Sequence, residues 1–295
     1  MAEAVVAGHT CLDIIPDLSG WEGTLERTLV PGKLVEIGPA LTVTGGAVPN
    51  TGLALHRLGV TVRLMGKVGD DLFGRAILDH LRRHGEMLAD GMIVAGGESS
   101  SYTVVLNPTG IDRMFLHCTG ANDTFVADDI PYSEIAGAKL FHFGYPPLMR
   151  GIYAGNGREL ADMFERVKRQ GVTTSLDMAK PDPDSDAGRQ NWEAILRRTL
   201  PYVDVFLPSF EELLFMLDRA DYDALERQHG PGGALKGADA DRLSRLSGML
   251  IGMSTALVGI KLGEHGLYLL ISAVASRLAA MGACAPADPA AWTGR

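Results

Sequence analysis

Short apolar runs and helix-like repeats alternate along most of the chain, which is the pattern of a layered α/β protein. The predicted strands are Ala4–Ile15 (interrupted by Gly8), Val60–Met65, Lys139–Tyr145, Val172–Met178, Thr255–Leu262 and Gly266–Ile271. The predicted helices follow Gly46 and cover Asp71–His84, Leu160–Val167, Asn191–Leu200 and Leu243–Leu250. Because strands and helices alternate, the sequence predicts an α/β fold, a mainly parallel sheet with helices on both faces.

Three segments depart from this alternation. Asp17–Thr44 has no long helical pattern, and its apolar residues fit short strands. Ser101–His117 has the pattern of a hairpin, with a turn sequence at Asn107–Gly110. These two segments are predicted to pair into a small sheet that stands off the main one. Asp218–Gly237 is polar and glycine-rich, and we expect a surface insertion with partial disorder.

Composition and charge restrict the class of function. A net charge of −9 argues against a nucleic-acid surface, which needs clustered Lys and Arg. No apolar run approaches the length of a membrane span. Cys11, Cys118 and Cys284 lie far apart without metal-binding spacing, so reduced thiols are expected. Since Met1–Val6 lacks the basic start of a signal peptide, the sequence predicts a cytoplasmic protein with a small-molecule ligand.

A glycine pair precedes the first helix and marks a candidate binding loop. Gly45 and Gly46 allow a ligand to approach the backbone closely, and the helix start favours oxygen-rich groups. Asn50, one turn later, can both donate and accept hydrogen bonds, which suits a sugar hydroxyl. The alternative is a tight turn in which Asn50 serves only as a cap.

This stretch, continued by Gly66–Gly74, resembles the N-terminal signature of the ribokinase-like (pfkB) sugar kinase family. The resemblance implies a ribokinase-like fold and transfer of a phosphoryl group from ATP to a hydroxyl of a sugar or related polyol. In that family the small sheet is a lid over the sugar and often a dimer surface. A lid built from about residues 17–44 and 101–117, and a homodimer through it, are therefore expected.

The resemblance also assigns roles on the sugar side. Asp13 ends the first apolar run, where an aspartate is otherwise commonly a turn former. In the family, the aspartate at this place holds substrate hydroxyls. Thr119 to Phe125 is similar in composition to the family's C-terminal Gly-Ala-Gly-Asp motif, whose aspartate is the catalytic base. Because this segment precedes the middle of the main sheet, we expect Gly120 and Asn122 on the sugar side, and Asp123 is only an alternative base.

Two later segments are implied on the nucleotide side. Ser209 and Glu212 match the family's Asn-x-x-Glu segment, with Ser in place of Asn, which makes Glu212 the expected Mg²⁺ ligand. The same spacing is that of a helix capping box, and both roles are compatible because a capped helix start is also an anion site. Lys261, Gly263 and Gly266 correspond to the family's hairpin beside ATP. The alternative there is an ordinary β-turn.

The family's Gly-Ala-Gly-Asp motif does not follow this hairpin. The resemblance therefore implies a ribokinase-like domain over residues 1–295 that is incomplete at its C-terminal end. The catalytic base is expected beyond Arg295, and these 295 residues are expected to have little kinase activity. The alternative is a sugar- or nucleoside-binding module without the chemistry. A Rossmann oxidoreductase is disfavoured because no G-x-G-x-x-G follows the first strand.

Overall fold

The computed structural model describes residues 2–20, 30–108 and 113–294. Within these ranges the chain forms a large sheet and a small one. The strands are β1 Ala4–Gly8, β2 Cys11–Pro16, β3 Ala40–Gly45, β4 Val62–Gly69, β5 Met92–Ala95, β6 Tyr102–Leu106, β7 Met114–Cys118, β8 Leu140–Gly144, β9 Thr173–Asp177, β10 Val205–Phe206, β11 Leu257–Lys261 and β12 Leu267–Ile271.

The large sheet has the strand order β12-β11-β10-β9-β8-β1-β4-β5. Every neighbouring pair is parallel except β11 and β12, which form an antiparallel hairpin at one edge. The central strand β1 is buried along its whole length, as expected for a parallel sheet that helices cover on both faces. The predicted α/β fold is confirmed.

The helices mostly follow the predicted segments, and several begin at polar caps. Asp71 accepts a hydrogen bond from Gly74 N at 2.8 Å, and Asn191 accepts one from Ala194 N at 3.0 Å. Each cap satisfies a backbone donor that has no partner within the helix. The helices are α1 Ala47–Arg57, α2 Leu72–His84, α3 Tyr132–Ile135, α4 Arg150–Lys168, α5 Trp192–Thr199, α6 Phe210–Leu217, α7 Arg219–His229, α8 Ala240–Gly252 and α9 Ala275–Ala279.

The small sheet has the order β3-β2-β6-β7. The strand pattern predicted over Ala4–Ile15, with its interruption at Gly8, is two strands: the chain leaves the large sheet after Gly8 and enters the small sheet as β2. Gly8 has φ +125, and a Cβ there would lie 2.9 Å from Gly144 N, so the break is built around glycine. Outside β3, the described part of Asp17–Thr44 contains no strand. Residues 21–29 of that segment and residues 109–112 of the hairpin turn lie outside the described residues.

The predicted disordered insertion is wrong. Most of Asp218–Gly237 is helix α7, followed by a short 3₁₀ turn at Ala234–Gly237. Tyr222 and Leu225, three residues apart, bury one face of α7 against the core. The charged residues of the opposite face dominate the composition and hide this apolar stripe from a compositional prediction.

The two largest hydrophobic clusters of the described residues fill the space between the sheet and its helices. The larger one includes Phe141, Phe164 and Phe206, and the smaller one includes Val6 and Leu64. These clusters hold the parallel strands rigidly, so the loops at the strands' carboxyl ends have a fixed base. Among the described residues, no helix has both the length and the apolar character that crossing a membrane requires.

Candidate active site

A cavity of about 970 Å³ lies at the carboxyl ends of β1, β8, β9 and β11, and one face of the small sheet forms part of its wall. This is the edge at which open parallel sheets bind ligands. The predicted site residues that line the cavity are Asp13, Gly46, Asn50, Asp123, Glu212 and Lys261. The predicted site residues that are not among its lining residues are Gly45, Gly120, Asn122, Gly263 and Gly266.

Gly45 and Gly46 join β3 to α1 and pack closely against His9 and Asp13, which lie at the end of β1 and in β2. Gly46 has φ 94 and precedes helix α1. A Cβ on Gly46 would lie 2.6 Å from His9 Nδ1, and a Cβ on Gly45 would lie 2.6 Å from Asp13 Oδ1. Asn50 follows in the same helix, and both Asn50 and Tyr145 line the cavity. Glycine is thus required here for close packing of the wall.

His9 is an additional residue of this wall, which the sequence analysis missed. Its ring is 2% exposed, and neither nitrogen has a hydrogen-bond partner. Burial, followed by the neighbouring His117, lowers the pKa of His9 to about 3. A buried neutral imidazole with free donor and acceptor groups is costly unless a ligand or water satisfies it.

The other end of the cavity carries charge. Lys261 Nζ forms an ion pair with Asp177 Oδ1 at 2.5 Å. Burial raises the pKa of the Asp177 and Glu212 carboxyls, although Lys261 opposes that rise. Burial by itself lowers the pKa of Lys261, but the Asp177 and Glu212 carboxylates raise that pKa above its ordinary value. The sequence analysis did not select Asp177, although a carboxylate that ends a buried strand is a usable signal.

Glu212 forms the predicted capping box at the start of α6. Its Oε2 accepts a hydrogen bond from Ser209 N at 2.6 Å, and Ser209 Oγ accepts one from Glu212 N at 3.3 Å. One oxygen of Glu212 is thereby fixed, and the residue still lines the cavity.

The donor set at this end fits Mg²⁺ that is shared with phosphate. Mg²⁺ commonly takes one or two carboxylates and completes its shell with water and substrate phosphates. Glu212 and the neighbouring Asp177 supply two carboxylates of this kind. In the part of the chain that the structure describes, no group of three or more His, Cys, Asp or Glu could hold an ion alone.

Asn122 and Gly120 have structural contacts. The Asn122 amide donates to Thr10 O at 2.9 Å and to Thr119 O at 3.1 Å, and its oxygen accepts from Thr10 N at 3.2 Å. Gly120 has φ +52 and packs against the backbone of Ser101. These contacts fix the loop between β1 and β2 behind the cavity wall. Gly263 and Gly266 form the turn between β11 and β12.

Asp123 lines the cavity, but both of its carboxylate oxygens are engaged. Oδ2 accepts from the Thr119 hydroxyl at 2.7 Å, and Oδ1 accepts from Arg150 N, the first residue of α4, at 3.0 Å. These bonds hold the loop against the start of α4.

Comparisons with known proteins show the family of the chain. Residues 1–277 match the family described as pfkB family carbohydrate kinase, and the chain belongs to that family. It is 25% identical to an uncharacterized sugar kinase of Archaeoglobus fulgidus over 74% of this chain and 72% of that protein. It is 32% identical to fructokinase-1 of Zea mays over 48% of this chain, and the match spans only 41% of the maize protein.

Solved structures show the same fold. A fructokinase from Xylella fastidiosa with bound ATP has a TM-score of 0.62 at 20% identity, covering 88% of this chain and 72% of that one. A ribokinase from Giardia lamblia has a TM-score of 0.66 at 18% identity, covering 92% of this chain and 73% of that one. The predicted ribokinase-like fold is confirmed.

The buried His9 imidazole predicts a specific pH dependence of stability. Because its pKa is about 3 in the folded protein and 6.5 ordinarily, the unfolded state binds more protons between these values. Stability from this residue is present above about pH 6.5 and is lost as the pH falls, by at most about 1.4 kcal/mol per pH unit. Urea titrations at pH 7 and pH 5 should show a smaller loss in His9→Phe than in the wild type. The exposed His84→Phe is the control and should lose as much stability as the wild type. An equal loss of stability in His9→Phe and the wild type would contradict the prediction.

Proposed function

We propose that the protein is a carbohydrate kinase that transfers the γ-phosphoryl group of ATP to a sugar hydroxyl. One observation carries the proposal: a single cavity has hydroxyl-recognising side chains at one end and a lysine between carboxylates at the other. Membership of a family of carbohydrate kinases supports this assignment. The solved fructokinase with bound ATP supports ATP as the donor.

At the sugar end, Asp13 and Asn50 would bind the acceptor. A carboxylate accepts from sugar hydroxyls, whereas the Asn50 amide can both donate and accept. The glycine pair lets Asp13 and His9 pack directly against the backbone, because a side chain at Gly45 or Gly46 would meet them. These contacts orient one hydroxyl towards the far end of the cavity and hold it there, which lowers the entropic part of the barrier.

At the other end, Lys261 would contact the transferring phosphate, and Glu212 with Asp177 would hold Mg²⁺. The ion supplies charge neutralisation at the phosphate oxygens, on which phosphoryl transfer chiefly depends. When phosphate enters, Lys261 can exchange part of its ion pair with Asp177 for a phosphate oxygen. Its raised pKa keeps the ammonium charged for this contact.

The alternative prediction, a sugar-binding module without chemistry, has no support from the named relatives, among which are fructokinases. For Asp123, the engagement of both carboxylate oxygens favours a positioning role over that of base. A homodimer through the small sheet and a cytoplasmic location stay predictions.

A phosphorylation assay tests this function. The chain is incubated with ATP labelled at the γ-phosphate, Mg²⁺ and a panel of ketoses, aldoses and nucleosides, and labelled sugar phosphate is measured. By calorimetry, Lys261→Met should weaken ATP binding at least tenfold, because it removes the cation that faces the phosphate. The exposed Lys236→Met serves as the charge-matched control and should leave ATP affinity unchanged. Absence of labelled product together with absence of sugar and ATP binding by calorimetry would contradict the proposal.

A further inference from the structure

Three polar side chains form one row across the cavity face of the small sheet. Asp13 on β2 is paired with Thr103 on β6, and Thr103 is paired with His117 on β7. Residues directly opposite each other on paired strands share a face of the sheet, and all three line the cavity. Cys11 lies two residues before Asp13 on β2, so it shares this face and lines the cavity as well.

Hydrogen bonds connect this row from end to end. The Cys11 thiol donates to Asp13 Oδ1 at 3.2 Å, and the Thr103 hydroxyl donates to Cys11 Sγ at 3.7 Å. Thr103 Oγ1 and His117 Nδ1 are 3.0 Å apart. Within the described ranges, His117 Nε2 makes no hydrogen bond, so the chain of bonds ends at that atom.

The carboxylate of Asp13 fixes the direction of the bond from Cys11, and the remaining directions follow from the donor that Thr103 offers to the sulfur. A carboxylate only accepts, so Cys11 donates its single proton. Burial, followed by the charge of Asp13, raises the pKa of the Cys11 thiol, which keeps that proton on sulfur. Thr103 then donates its only proton to the sulfur and must accept from His117. The proton of the neutral ring therefore lies on Nδ1, and Nε2 carries a free lone pair.

The ring of His117 stays neutral in this environment. Burial lowers its pKa, although Asp13 and Asp123 act in the opposite direction. The second imidazole, His9, lies with its ring centroid 5.2 Å away, and its own pKa is lowered as well. His117 Nε2 can accept a hydrogen bond only while the ring is neutral, because both nitrogens of a protonated imidazole are donors.

We propose that His117 determines sugar specificity: its Nε2 accepts a hydrogen bond from a second substrate hydroxyl while Asp13 accepts from the first. The inference rests on the proposed function of the cavity. Neighbouring strands lie about 4.8 Å apart, so the ends of the row are about 10 Å apart. The two hydroxyls therefore belong to separated positions of the sugar. Deoxy and O-methyl analogues at the His117 position lack the donor and are bound more weakly.

Calorimetry with a deoxy series of the best-bound sugar tests this contact. For the wild type, one analogue that lacks a single hydroxyl should bind about tenfold more weakly than the parent sugar. His117→Phe, which keeps a ring and loses the acceptor, should bind the parent and that analogue equally. The exposed His84→Phe should keep the wild-type pattern. If His117→Phe keeps that pattern too, the inference is wrong; if the wild type binds no sugar, the proposed function fails with it.

Nitrogen-15 NMR of the free protein tests the proton arrangement independently of sugar. The wild type should show His117 as a neutral ring with the proton on Nδ1. Thr103→Val keeps the side-chain shape and removes the acceptor, so the proton should shift towards Nε2. A wild-type ring that carries its proton on Nε2 would overturn the inference even if the variants bind sugar differently.

Discussion

Asp204→Ala should lower the free energy of unfolding by about 3–5 kcal/mol, because it leaves two cations, whose side chains are only 19% and 16% exposed, without their partner. Asp204 is fully buried beside β10. Its carboxylate accepts from Lys168 Nζ at 2.6 Å, from Arg277 Nη1 at 2.8 Å and from Thr174 N at 2.8 Å. This triad of Asp204, Lys168 and Arg277 joins α4 and α9 to the large sheet at β9 and β10. Its loss therefore affects the large sheet directly. Urea unfolding monitored by circular dichroism measures the change.

The matched control for this prediction is an exposed ion pair. Asp186 pairs with Arg189 at 2.7 Å, with both side chains more than 60% exposed. Asp186→Ala should therefore change the free energy of unfolding by no more than about 1 kcal/mol. If Asp204→Ala is too unstable to purify, Asp204→Asn, which keeps an acceptor for Thr174, provides the measurement. Equal stability of Asp204→Asn and the wild type would contradict the structural role of the triad.

Asp13→Ala should weaken sugar binding by about 1–3 kcal/mol, because partnered hydroxyls lose a charged acceptor. This corresponds to roughly 5- to 150-fold in the dissociation constant. Asn50→Ala should weaken binding as well, with a smaller effect because the lost partner is neutral. Titration calorimetry with the best sugar of the panel gives both values.

Asp17→Ala is the control for this second prediction. Asp17 follows β2 and lies outside the residues that line the cavity, where it accepts a hydrogen bond from Ser19 N at 2.9 Å. Its replacement should leave sugar affinity unchanged. Unchanged affinity in Asp13→Ala and Asn50→Ala would remove both residues from the sugar site.

Local periodicity predicted most strands of the large sheet and the longer helices, but β5, β10 and α9 were not among the predicted elements. Buried parallel strands are continuous apolar runs, and helices such as α2 carry an apolar stripe between a polar cap and a glycine. The interruption at Gly8 was visible in the sequence, but the place of β2 in the small sheet was not, because it depends on pairing with β3 and β6, which are distant in sequence. Helix α7 was missed for a different reason: its few buried residues are outnumbered by charged ones.

Site residues were predictable only where a recognisable local motif surrounds them. Asp13, Asn50 and Lys261 were selected from the motifs around them, and the structure places all three at one cavity. Thr103 and His117 have no motif of their own. Their relation to Asp13 is a matter of strand register, which is set by tertiary pairing and not by spacing along the chain.

We propose that one cavity binds a sugar at the small sheet and a nucleoside triphosphate at Lys261. The most direct measurement is a crystal structure with the best-bound sugar, Mg²⁺ and a non-hydrolysable ATP analogue. We expect sugar hydroxyls within hydrogen-bonding distance of Asp13 and Asn50, and the terminal phosphate within reach of Lys261 Nζ. A sugar bound away from Asp13, or a nucleotide bound outside this cavity, would contradict the account.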